Sequence, residues 1–447
     1  MANSYLTWQN STATNSTKFT MSAWVKRGNL NSGSYNCIMS CRQTSSTNAM
    51  GLWFGEDKVF FNFGTSASAS TTGFDTTAKV RDTSAWYHIV VAGDASQSGT
   101  DKLKVWINST QQTSFVTDNR SSFATLANDF GNTTYPIQVG RKHDDTFFWD
   151  GYMSHVAFVD GTALTPSSFG ETDSTSGIWK FKSPSGITWG NNGFHLKFEN
   201  SGALGTDSSG NSNTFTVQGN LKQALDTPSN VHATLNGAFN LSDNVLSFGN
   251  NKAVNANSNW KYVPATLGVS SGKWYAEYKV NKGSGYLMNG VVDMRYATSQ
   301  DANSYTHSGA GTGSVSIYSD SGEKYIAGSN TSYAGTYTDN NIIGVALDMD
   351  NNKVYFSKDG AWANGSGAWG SSTFDAAVGA ITLPTTGIYT FAVSQRSGAY
   401  NEVNFGNGYF GTTAISSAGS NGNGSLFEYD VPSGYYALNT KNINTYG

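Results

Sequence analysis

The chain reads as nearly all-β, two antiparallel β-sandwiches in series, and three observations predict this. Charged residues make up only 13% of its 447 residues, against a usual fraction of about 25%, so the polar faces that long amphipathic helices need are scarce. The 50 Gly sit among 23 Tyr, 25 Phe and 12 Trp, a pairing of turn formers with residues that suit a pleated surface. Apolar side chains recur at every second position in short runs, first at Phe19, Met21, Ala23 and Val25 and again at Ile343, Val345 and Leu347, which is the period of a strand with one buried face.

The elements follow in order. Tyr5–Trp8 and Phe19–Gly28 open the first region, and further strands are predicted at Gly51–Phe54, Val59–Phe63, Trp86–Ala92, Leu103–Asn108, Ile137–Gly140 and Gly151–Val159. Strands at such short intervals suit a sandwich. Thr165-Pro166 offers a cap and a first helical position, so one short helical turn is predicted there. Gly193–Glu199 is a further strand that either completes the first sandwich or bridges to the second. Leu225–Ser229 reads as a linker, since Pro228 disfavours helix at Thr227 and its neighbours are small and polar. Beyond it, strands are predicted at Gly272–Val280, Ile342–Phe356 with a turn at Asp350-Asn351-Asn352, Tyr389–Val393 and Glu402–Gly406. The division predicted is 1–224 and 225–447, each half long enough for its own core.

Two sets of these residues resemble known families. Phe19–Gly28, Trp86–Val91, Leu103–Asn108 and Asp150–Phe169 together resemble the concanavalin-like, laminin-G-like lectin sandwich, over roughly residues 1 to 180. Gly272–Val280, the hairpin of 342–356, Tyr389–Val393 and Glu402–Gly406 occur in the order of a SPRY domain, and Tyr429–Asn439 is similar to the ending of marine bacteriophage proteins that pair these two domains. The resemblance implies a virion protein, a fibre, appendage or decoration, made in the host cytoplasm and displayed on the particle. Other virion proteins would then be its partners. A homotrimer is an expectation from fibre analogy alone, because no heptad run supplies a stalk.

Other classes are excluded by what the residues lack. A formal net charge of −4 without blocks of like charge leaves no footprint for nucleic acid. No apolar run reaches the ~20 residues of a membrane span, and Met1–Tyr5 has no signal-peptide start, so a soluble chain without membrane insertion is expected. Cys37 and Cys41 stand in what reads as a polar loop with no partners for zinc, and free thiols are expected. Gly268-Val-Ser-Ser-Gly272 fits a nucleophile elbow in letters only, because a strand and not a helix follows Ser270. Asp348, Asp350 and Asn352 mimic a calcium loop, but Lys353 stands where glycine is required. Asp144, Asp145 and Asp150 form the better calcium candidate, against a plain solvated loop; no ligand motif matches, and no cofactor is expected. Glu199, Glu277 and Glu402 each stand alone on their strands, whereas a sandwich glycosidase needs two carboxylates facing one cleft. No enzyme is predicted, with a polysaccharide-degrading tailspike as the distant alternative. His88 and His155 read as core residues.

What remains is aromatic binding chemistry. Sugars present flat C–H faces that stack on Trp and Tyr. Trp362 and Trp369, in the glycine-rich loop Lys358–Gly370, are the predicted exposed candidates for a host glycan or a partner protein, with Tyr333 and Tyr337 next. The rival reading is a purely structural decoration with no host ligand.

Overall fold

The computed structural model describes residues 4–28, 30, 35–42, 49–63, 73–125, 130–131, 133–143, 145–239, 244–296 and 311–447. The chain separates into two compact units, Met1–Gln223 and Ala224–Gly447. Both are built of antiparallel sheets, and the described α-helix is the short Thr440–Tyr446.

In the first unit a six-stranded sheet runs in the order Phe194–Leu196, Gly151–Asp160, Lys18–Arg27, Tyr87–Asp94, Leu103–Ile107 and Thr110–Gln111. The other sheet has eight strands, with Tyr35–Arg42 between Ala49–Gly55 and Ile137–Val139. Phe19, Met21, Ala23 and Val25 enter the shared core with Ile89, Val91, Leu103, Val105, Val156 and Phe158, so the period-two run predicted for this segment faces inward as its spacing requires. Phe194–Leu196 pairs with Gly151–Asp160 and completes the first sandwich. Cys37 and Cys41 form no disulfide, but both are buried in the strand Tyr35–Arg42, which corrects their placement in a polar loop. That strand escapes pattern reading because its sequence, Tyr-Asn-Cys-Ile-Met-Ser-Cys-Arg, has no apolar-polar alternation. The turn after Thr165 is a single 3-10 turn, Pro166–Ser168, with proline at its start and no side-chain cap.

The outer face of the six-stranded sheet is covered by the hairpin Gly170–Thr172 and Trp179–Phe181. Here His88 lies between Trp24, stacked at 4.7 Å between centroids, and Trp179, at 6.0 Å. Trp179 Nε1 donates to His88 Nδ1 at 3.1 Å, and Ser22 Oγ lies 2.8 Å from Nε2. An indole N–H can only donate, so Nδ1 is the bare nitrogen and Nε2 carries the hydrogen shared with Ser22. Burial, with His155 nearby, pushes His88 down to about 3. His155 sits in a bulge of its strand at φ 48°, against Phe181 at 3.5 Å and 3.2 Å from His195. It is only partly buried, so the core expectation holds for His88 and is loosened for His155.

In the second unit the longer sheet contains Asn244–Ser247, Lys252–Asn255, Tyr400–Asn404, Lys273–Asn281, Ile342–Asp348, Lys353–Lys358 and Ala361–Trp362 in that order. The facing sheet is Lys261–Pro264, Tyr389–Arg396, Tyr286–Asp293, Ser314–Tyr318, Lys324–Ile326 and Ser329–Thr331. Trp274, Ala276, Tyr278, Ile343, Val345 and Leu347 pack against Leu287, Val291, Phe391 and Val393 between them. A second cluster, Tyr275, Tyr355, Trp362, Phe427 and Tyr435, lies where later chain covers the longer sheet. Val231 to Ala233 pairs with Leu438 to Thr440, so the two ends of this unit are clasped together. Leu225–Ser229, read as a linker, is a turn in which Thr227 bonds Asn230 and Asp226 is buried.

Candidate functional site

Strand register on the second unit assembles a row of aromatic rings that no sequence window contains. Leu287, Val291, Val315, Ile317, Phe391 and Val393 all point into the core; alternation then places Tyr286, Tyr318 and Arg396 on the opposite face of their sheet. Tyr286 stands directly across from Arg396, Met288 from Tyr318, and Ser316 from Tyr325. Trp260, just before the Lys261–Pro264 strand, extends the row. Ring centroids lie 6.5 Å apart for Trp260 and Tyr286, 6.0 Å for Trp260 and Tyr318, 6.2 Å for Tyr286 and Tyr318, and 6.1 Å for Tyr318 and Tyr325. These are diagonal and cross-strand spacings at which rings attract through offset and edge contacts.

The Arg396 guanidinium carbon lies 4.2 Å from the Tyr286 centroid and 5.0 Å from that of Trp260, a cation held by ring faces. All five side chains are partly exposed. Burial, with Asp320 beside it, raises the Tyr318 hydroxyl to about 12, and burial followed by Glu323 raises that of Tyr325; both remain neutral hydroxyls at ordinary pH. Lys282 and Asp320 form an ion pair of 2.8 Å, and Glu323 accepts from Ser321 Oγ at 2.8 Å and Asn330 Nδ2 at 3.0 Å. The arrangement offers flat apolar faces next to hydroxyl and charged groups.

The four predicted aromatic candidates are placed differently. Trp362 is 8% exposed, with its ring edge-on to Phe374 at 4.8 Å. Tyr333 is 1% exposed and donates to the Gly379 carbonyl at 2.6 Å; Tyr337 is 2% exposed and donates to the Ile317 carbonyl at 2.8 Å. Their predicted exposure is therefore corrected: all three are packing residues. Trp369 is partly exposed, donates to the Thr336 carbonyl at 3.3 Å and lies under Lys358 Nζ, 5.6 Å away. The reason is local. Gly365 and Gly367, at φ 76° and 96°, let the loop double back so that Ala363 bridges Trp369, and Asn364 Oδ1 accepts from Ser366 and Ala368. A glycine-rich loop that looks open in sequence becomes a tight turn.

Of the calcium candidates, Asp144 lies outside the described residues. Asp145 is bonded to Arg141, and Asp150 is among the carboxylates facing buried Arg27. Among the described residues no three His, Cys, Asp or Glu side chains gather as metal ligands. Glu277, solitary in sequence, is fully buried and accepts from the backbone N–H groups of Glu428 at 2.8 Å and Tyr429 at 2.9 Å, with the Tyr275 hydroxyl at 3.3 Å. Burial outweighs those donors and pushes its carboxyl up to about 7. It tethers a late segment of chain, and among the described residues no second carboxylate is bonded to the same groups.

Residues 273–385 match the SPRY domain. The second unit carries a SPRY domain. Residues 1–168 match the concanavalin A-like lectin/glucanases superfamily, so both domain families read from the sequence are borne out. No curated protein matches the chain. Among solved structures, the SPRY domain of human HERC1 is 17% identical, with 34% of this chain and 87% of that one covered at a TM-score of 0.26. The TRIM65 PSpry domain is 13% identical, covering 38% and 89% at 0.30, and a human SPRY domain is 16% identical, covering 36% and 94% at 0.26. Tyr286, Tyr318 and Tyr325 fall inside the SPRY match, whereas Trp260 and Arg396 flank it. Both families are typically non-catalytic binding folds.

Proposed function

We propose that this chain is a non-enzymatic protein of a bacteriophage particle, a fibre, appendage or decoration that attaches to neighbouring virion proteins and presents the Trp260–Tyr286–Tyr318–Tyr325 row to glycans of the host surface. The virion part is supported by the sequence resemblance, from the order of the two domains to the ending at Tyr429–Asn439. The glycan part is carried by the row itself: adjacent, partly exposed rings with hydroxyls that stay protonated match the stacked C–H faces and hydroxyls of a saccharide. The absence of catalysis is supported by Glu277, whose carboxyl is enclosed and alone where hydrolysis of a glycoside asks for two.

The test is binding of the purified chain to an array of bacterial surface polysaccharides, with Trp260→Ala and Tyr318→Ala in parallel. Saturable binding weakened at least tenfold by either change supports adhesion through this face. Binding that ignores both changes moves the site elsewhere, and release of reducing ends from any polysaccharide overturns the non-enzymatic reading. Locating the chain in an electron-microscopy map of a particle tests the virion placement separately.

A further inference from the structure

Within the aromatic row Arg396 is the residue whose chemistry is unused. Its Nε is enclosed without a hydrogen-bond partner, and among the described residues no carboxylate pairs with it; its contacts are the faces of Trp260 and Tyr286. The neighbouring charges are already engaged. Lys282 and Asp320 neutralise each other, Asp339 accepts from the backbone of Lys282 and Gly283, and Glu323 is taken by Ser321 and Asn330. A guanidinium pinned between rings keeps its planar donor fork in one orientation, so little freedom is lost when an anion binds.

Resting on the glycan reading above, we infer that this face selects sugars bearing a carboxylate, such as uronic or sialic acid residues. The pyranose ring stacks on Tyr286 or Tyr318 while the terminal nitrogens of Arg396 meet the carboxylate. A neutral sugar leaves those donors to water; an acidic one satisfies them in a partly dry, ring-lined setting where a charge-assisted bond is strong. The interaction is non-covalent throughout.

The experiment uses the full chain and calorimetric titration with three acidic oligosaccharides, oligogalacturonate, oligomannuronate and oligosialate, each beside its carboxyl-reduced counterpart. The expected result is that at least one acidic member binds about tenfold tighter than its reduced form, a margin set by a single charge-assisted hydrogen bond, and that the margin shrinks at high salt. Arg396→Gln should erase the preference and Arg396→Lys should keep part of it, whereas Trp260→Ala should weaken acidic and reduced forms alike. If every reduced form binds as tightly as its acidic parent, or Arg396→Gln retains the preference, the acidic assignment falls while the glycan reading stands. If no acidic or reduced member binds, the acidic assignment falls too, and failure of the whole polysaccharide array removes the glycan reading with it.

Discussion

Acid should loosen the first sandwich through His88, and the size of the effect follows from its surroundings. Protonating Nδ1 would set a second N–H against the Trp179 Nε1–H that now donates to it across 3.1 Å, on a ring that is itself fully buried. Burial, with the His155 charge nearby, holds the group at about 3 in the folded chain against an ordinary value of 6.5. The unfolded chain therefore binds the proton first, so the stabilisation is whole above pH 6.5 and is lost as pH falls toward 3. Between pH 7 and pH 5 the loss attributable to this one ring is about 2 kcal/mol. His155 and His195, pushed down mainly by burial to about 3 and about 4, act in the same direction. The assay is urea unfolding at pH 7, 6 and 5, read by peptide-resolved hydrogen exchange so that the Tyr87–Asp94 strand is followed apart from the second unit. His88→Gln removes the titrating group while leaving an acceptor for Trp179, so its stability should fall by about 2 kcal/mol less over that range. An equal fall in variant and wild type, or no fall in wild type, refutes the reasoning.

The second unit should respond to pH with the opposite sign: Glu277, raised from 4.5 to about 7, contributes stability that is complete below pH 4.5 and lost as pH rises through 7, up to ~3 kcal/mol. Glu277→Gln should flatten that fall in urea titrations at pH 5 to 8. Trp362→Ala should lower stability by about 3–5 kcal/mol because it empties a packed site, whereas Trp369→Ala should cost only ~1 kcal/mol, both read by thermal unfolding. Cys37 and Cys41 should resist a maleimide reagent in the native chain and react on unfolding, since a thiol must be reached as thiolate.

The sandwiches were legible where large apolar side chains alternate with smaller or polar ones in the sequence, as in Phe19–Arg27 or Ile342–Lys358, even though both faces of these strands are buried. Pattern reading failed where that alternation is missing: Tyr286–Asp293, buried along nearly its whole length, has no period-two pattern to read. The burial of Trp362 was illegible for another reason. Phe374 and Tyr435, which enclose it, approach only after the chain has folded back over the sheet. The aromatic row lay between these cases. Tyr286 and Tyr318 each sit one position from a core residue, a parity that sequence does display, but only register brings Arg396 opposite Tyr286.

The SPRY match ends at residue 385, yet the strand Tyr389–Arg396 lies between Lys261–Pro264 and Tyr286–Asp293. A fragment trimmed to 273–385 would thus split one sheet through its interior, exposing unpaired edges that invite aggregation. It would also strip Tyr400–Asn404 from its neighbours and leave Glu277 without the two N–H groups of Glu428 and Tyr429. The paired chain of this unit runs at least from Val231 to Thr440, which are clasped together, and the recognisable motif is its middle.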